Sequence, residues 1–157
     1  MIVAGIDPGL QNTGLAIVKK MDQSVELVQY HLVKNKQSDS FDARLKTIYD
    51  QIFDFFRSFR PDVVALEEVF YAKNAQVALK MGHARGVAIL AAANSGIPVV
   101  EYSPREIKLS VTGNGNASKY QVQQMILKIL GITEIPETFD ITDAMAAAYC
   151  HSQRAKT

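Results

Sequence analysis

Apolar positions fall into two rhythms along the chain. Three runs of strand character come first: Ile2 to Asp7, Gly14 to Lys19, and Val25 to Val33, the last rich in the β-favouring Leu27, Val28, Tyr30, Leu32 and Val33. Pro8-Gly9 separates the first from the second, and the short connections predict an antiparallel meander. The rhythm then changes. Phe41, Leu45, Ile48, Ile52, Phe55 and Phe59 recur every three or four residues, the stripe of an amphipathic helix, which Pro61 ends at Arg60. Asp62 to Glu68 is a short apolar β-run after a helix, which predicts a buried strand parallel to its neighbour.

A second helix is predicted from about Asn74 to Ala93, apolar around much of its circumference, with Gly82 and Gly86 four apart. Such a helix needs two covers. The sheet supplies one, and a second subunit is a natural source of the other. Ile97 to Tyr102 reads as a strand, Pro104 suits the first turn of a short helix, and Gly113-Asn114-Gly115-Asn116 reads as a loop. Ser118 should cap a helix through Ile129, and Thr138 a last one through about His151. The order βββαβαβααα predicts an α/β fold, a five-stranded mixed sheet with helices on both faces.

With 157 residues, 48% of them apolar, the chain can build one sizeable core, so a single domain over 1–157 is expected. No run approaches the roughly 18 to 20 uncharged apolar residues of a membrane span, and an acid at position seven argues against a signal peptide. No membrane partner and a cytoplasmic location are expected. Cys150 is the only cysteine, which excludes an internal disulfide and a thiolate metal cluster and leaves it as an apolar filler on the last helix. The net charge of +1 conceals a polarity: between Tyr71 and Tyr120 six Lys/Arg stand against two acids. That basic segment keeps a nucleic-acid partner open.

The placement of the carboxylates carries the chemistry. Asp7 ends an apolar strand and is followed at once by Pro-Gly, which puts an acid at a sheet end beside a cleft. Glu67 and Glu68 close the fourth strand, and alternation lets only one of them share the face of Asp7. Asp140 and Asp143 are three apart near the start of the last helix and project from one side. Each acid has an ordinary explanation: a turn former, a solvated strand rim, a complement to a helix dipole. Their coincidence on three separate elements favours a site. Acids held together repel unless a cation intervenes, and oxygen-only ligands point to Mg²⁺ or Mn²⁺. Two such ions would support in-line hydrolysis of a phosphodiester.

Ile-Val-Ala-Gly-Ile-Asp-Pro-Gly-Leu (2–10), Ala-Leu-Glu-Glu-Val-Phe (65–70), Ala-Lys-Asn (72–74), Ala-Arg-Gly-Val-Ala (84–88) and Ile-Thr-Asp-Ala-Met-Ala (141–146) closely resemble the RuvC family of bacterial Holliday-junction resolvases. The likeness runs nearly end to end. It implies a ribonuclease H-like homodimer that binds a four-way DNA junction in recombination and repair and nicks two strands symmetrically. The resemblance assigns Asp7, Glu67, Asp140 and Asp143 as metal ligands, in an all-carboxylate version of a site where some members carry histidine at the position of Asp140. Lys108 and Lys119 match lysines near the scissile phosphate. Phe70 matches an aromatic placed against junction bases, where stacking contributes ~1 to 3 kcal/mol; as a bare residue it could equally belong to a core. Lys73, Lys80 and Arg85 are candidate phosphate contacts, with Lys73 foremost because it adjoins the stacking loop. The same likeness suggests coupling to the RuvAB branch-migration complex.

Three rival readings remain at this stage. Sugar-kinase and actin-like ATPases share the opening strand and acid but need a second domain, for which the chain has no room. A scaffold that has lost catalysis is opposed by the four retained acids. A ribonuclease H-like enzyme with another nucleic-acid substrate is a matter for assay.

Overall fold

The computed structural model describes residues 1–69 and 74–155; the predicted sites Phe70 and Lys73 lie outside them. Chain order follows the predicted pattern, with boundaries within two or three residues. The strands are β1 (Ile2–Asp7), β2 (Asn12–Lys20), β3 (Val25–Lys34), β4 (Val63–Glu67) and β5 (Val99–Tyr102). The helices are α1 (Phe41–Phe59), α2 (Ala75–Asn94), α3 (Pro104–Thr112), α4 (Lys119–Ile129) and α5 (Phe139–Arg154). The strands form one sheet in the order β3-β2-β1-β4-β5. β1, β2 and β3 pair antiparallel, whereas β4 runs parallel to β1 and β5 parallel to β4.

Strand alternation sorts the core into two layers. Ala4, Ile6, Val64 and Leu66 point to the side covered by α1 and α2, where Ile48, Ile52, Phe56, Ala84, Ala88 and Ala91 complete the packing. Val3, Val63 and Ala65 point to the other side, against Ile107, Ile126, Ala144, Met145 and Ala148 of α3, α4 and α5. The central strands β1, β2 and β4 are therefore buried on both faces, as their uninterrupted apolar runs required, while edge strand β3 is largely exposed.

Helix ends follow local chemistry. Arg60 takes a left-handed conformation (φ 46°) after α1 and returns its N–H to the carbonyl of Phe56 at 2.8 Å, closing the helix immediately before Pro61. Ser103 and Ser118 each form a reciprocal capping box, with Glu106 and Gln121. Thr138 departs from expectation. It occupies the cap position of α5 but makes no capping hydrogen bond, and its buried Oγ1 has no partner among the described residues. On α2, alanines face the sheet, while Val77, Leu79, Met81 and Leu90 stay exposed on more than one side of the helix, apolar surface that no described residue covers. No described helix is long and apolar enough to cross a membrane.

Candidate active site

Parity places the first two acids. Within β1, Val3 and Gly5 face α5, so Asp7 does too; within β4, Val63 and Ala65 share that side, so Glu67 follows. Only the side chain of Glu68 belongs to the α1–α2 side by alternation, yet it borders the same cleft from the rim, so the two glutamates are less separated than alternation alone predicts. The β1–β4 ladder ends at Ile6–Leu66, so the two acids stand just past it, each still paired on its outer side, Asp7 with Gly14 and Glu67 with Tyr102.

The other two acids arrive on α5, and glycine decides how close that helix can come. A Cβ added to Gly5 would sit 1.8 Å from the Ala144 carbonyl oxygen; one added to Gly14 would sit 1.9 Å from that of Asp140. Gly14 is paired with Asp7 across the β1–β2 ladder. The two glycines thus let the helix backbone rest on the sheet beside the strand-end acid. The sequence reading missed them as site determinants. Their signal was present: in-strand glycines on the parity of Asp7, facing an alanine-rich helix.

Asp7, Glu67, Asp140, Asp143 and Lys119 line a cleft of ≈ 500 Å³, and Lys119, Asp143 and Glu67 also border an adjoining hollow of ≈ 220 Å³ that contains Lys108. The Lys119 ammonium lies 2.8 Å from Asp143 Oδ2 and 5.1 Å from the centre of the Phe139 ring. Thr13 fixes the turn after Asp7 by donating to the Gly9 carbonyl oxygen at 2.8 Å and accepting from its N–H at 3.2 Å.

Electrostatics record the crowding. Burial first, then the charges of Asp143 and Asp140, push the Asp7 carboxyl up to about 8, against partial relief from Lys119. Desolvation and Asp143 raise Glu67, while Lys108, Lys119 and Arg85 pull it down. Asp143 is raised by desolvation despite Lys119 and a hydrogen bond with Asp7. For Lys119, burial lowers the pKa but the bond to Asp143 and the surrounding acids outweigh it, so the ammonium is held charged. A divalent cation fits the donor set: all the acids offer hard oxygens, and their mutual repulsion is only partly offset by one ammonium. Among the described residues, however, no three His, Cys, Asp or Glu side chains already converge at ligand spacing. Lys119 occupies Asp143 instead.

The basic residues divide. Lys108 and Lys119 border the site as expected, and Lys80 is exposed on α2 away from the cleft. Arg85 differs from the phosphate-contact expectation. Its side chain is only 13% exposed, donates through Nη1 to the Glu67 carbonyl oxygen at 2.6 Å, and pairs through Nη2 with Glu101.

Comparison with known proteins gives the family and the fold. The family described as Crossover junction endodeoxyribonuclease RuvC matches residues 3–151. The crossover junction endodeoxyribonuclease RuvC of Desulforamulus reducens is 43% identical over 157 residues, covering 100% of this chain and 96% of the relative. That of Ruminiclostridium cellulolyticum is 44% identical over 151 residues, covering 96% and 91%. Thermus thermophilus RuvC, solved in complex with a Holliday junction substrate, superposes with a TM-score of 0.90 at 35% identity, over 97% of this chain and 93% of that one. The yeast mitochondrial Holliday junction resolvase, at 16% identity and a TM-score of 0.67 over 96% and 77%, shares the fold. This chain, with its ribonuclease H-like α/β sheet, belongs to the RuvC family of crossover junction endodeoxyribonucleases.

Proposed function

We propose that residues 1–157 form one nuclease domain that resolves four-way DNA junctions by paired, symmetric, metal-dependent phosphodiester hydrolysis. The observation that carries this reading is the convergence of Asp7, Glu67, Asp140 and Asp143 with Lys119 on one cleft. Family membership supports the reaction class, and the junction-bound Thermus relative supports the substrate.

Asp7, Glu67, Asp140 and Asp143 would hold Mg²⁺, with Mn²⁺ able to substitute and two ions per site. Bound ions of this kind supply a more acidic water and neutralise charge at phosphorus. The chain's residues supply the rest. Asp7 and Glu67 come from strand ends fixed by the sheet, Asp140 and Asp143 from a helix resting on glycine, so rigid elements carry all four acids to one cleft, where they would draw together on the ions. Lys119, held charged, is free to exchange Asp143 for a phosphate oxygen, and Lys108 extends positive potential into the adjoining hollow. Phe70 stacks on a junction base, and Lys73 with Lys80 contacts backbone phosphates. The exposed apolar residues of α2 support a homodimer, which suits a substrate with near two-fold symmetry by placing one site on each of two equivalent strands. The RuvAB branch-migration complex is the proposed partner, and the cytoplasm the proposed location.

The test is incubation of a labelled four-way junction with the protein in Mg²⁺ and, separately, in Ca²⁺. Paired symmetric nicks in Mg²⁺ and binding without cutting in Ca²⁺ are expected. Binding without cutting in both, or equal cutting of duplex and hybrid controls, overturns the reading.

A further inference from the structure

We infer that Arg85 is a positioning residue for Glu67, coupling α2 to the acidic cleft instead of contacting DNA. The inference rests on the proposed role of Glu67 as a metal ligand. Glu67 is the last residue of β4: β5 holds its backbone through the pairing with Tyr102, but it stands one residue past the β1–β4 ladder and has no strand partner on the β1 side. Arg85 reaches that point from α2. Its Nη1 donates to the Glu67 carbonyl oxygen at 2.6 Å, and its Nη2 is anchored by Glu101, the β5 residue paired with Leu66. One planar guanidinium therefore joins the carbonyl of the acid, the neighbouring strand and a helix. An arginine suits this task because its fork holds two acceptors at fixed angles.

With both ends of its fork engaged and its side chain 13% exposed, Arg85 has little of itself left for a phosphate. It also ties α2, whose first residues follow the predicted base-stacking loop, to an acid of the cleft. Movement of α2 on substrate binding would then be felt at Glu67 through this contact.

The test uses the full-length protein, with Arg85→Ala, Glu67→Gln and the double variant, in two measurements. Mn²⁺ binding to the junction-free protein is followed by paramagnetic resonance, and junction affinity is measured in Ca²⁺ over a salt series. Arg85→Ala is expected to weaken Mn²⁺ binding about tenfold while leaving junction affinity within about twofold and its salt slope unchanged; a lost phosphate contact would instead lower that slope by ~1. The double variant should bind Mn²⁺ no worse than Glu67→Gln alone, since Arg85 acts through Glu67. Arg85→Lys, which keeps one donor and the charge, should recover part of the loss and serves where the alanine variant is poorly folded. Unchanged Mn²⁺ binding in Arg85→Ala, a reduced salt slope, or additive losses in the double variant each overturn the inference. Unchanged Mn²⁺ binding in Glu67→Gln sinks the metal-ligand reading itself, a separate outcome.

Discussion

Replacing Gly14 by alanine tests whether close approach of α5 builds the site. The added Cβ would lie 1.9 Å from the Asp140 carbonyl oxygen, 2.3 Å from its carbonyl carbon and 2.8 Å from the Ile141 nitrogen. All three are backbone atoms, so no rotamer change relieves the clash. A carbon and a carbonyl oxygen tolerate about 3.3 Å, so helix and strand must part by roughly 1.4 Å. Overpacking of this kind costs about 1 to 3 kcal/mol, offset by about 0.4 to 1 kcal/mol because alanine restricts the unfolded chain. The net loss should be about 1 to 2 kcal/mol, seen as a lower urea midpoint with unchanged slope. Activity should suffer more. Asp140 stands at the contact and Asp143 one turn on, and a misplacement near 1 Å costs on the order of 100-fold in rate. Single-turnover junction cleavage in Mg²⁺ measures this, and junction affinity in Ca²⁺ shows whether the fold survives. Cleavage within about threefold of wild type, with an unchanged midpoint, would refute the reasoning.

Asp7→Asn should abolish cleavage while leaving junction binding intact or tighter, since it removes a negative charge from the phosphate path; a variant that still cuts at full rate removes Asp7 from the metal site. The same variant has a pH signature. Asp7 is raised to about 8 in the fold, so between the ordinary carboxylate range and pH 8 the native state keeps a proton the unfolded chain has lost, and metal-free stability falls as pH rises. Asp7→Asn should thus match wild type near pH 4 and exceed it by a few kcal/mol (order of magnitude) near pH 9 in chelator; equal melting temperatures at pH 9 would contradict the buried-charge account. Lys119→Ala should lower single-turnover cleavage about 10²- to 10³-fold, the usual loss for one donor to developing charge, and a smaller effect on rate than on junction affinity would count against that role. Phe70→Ala should impair cutting of the junction more than affinity for duplex DNA, and equal loss on both would mark a core residue.

Much of the molecule was legible because its signals are local. Periods of two and near four set every element in order, Pro8-Gly9 and Pro61 marked breaks, and Pro104 and Ser118 announced helix starts, the second of which a capping box realises. Thr138 misled because a cap residue can hold the cap position while its hydroxyl is turned into a site without a partner. Arg85 shows a different limit of the sequence. Sequence reveals a cation in a basic segment but not that β4, β5 and α2 leave two acceptors within its reach.

By itself the sequence determined the α/β class, the element order, the presence of acids at strand ends and on the last helix, and, through its motifs, the family. The tertiary structure alone decided that Asp7 and Glu67 share a face with α5, that Gly5 and Gly14 admit the helix backbone, and that Lys119 reaches Asp143. These are relations between elements far apart in the chain. They depend on ladder register and interlayer distance, which no local propensity encodes and which the packing of both core layers fixes together.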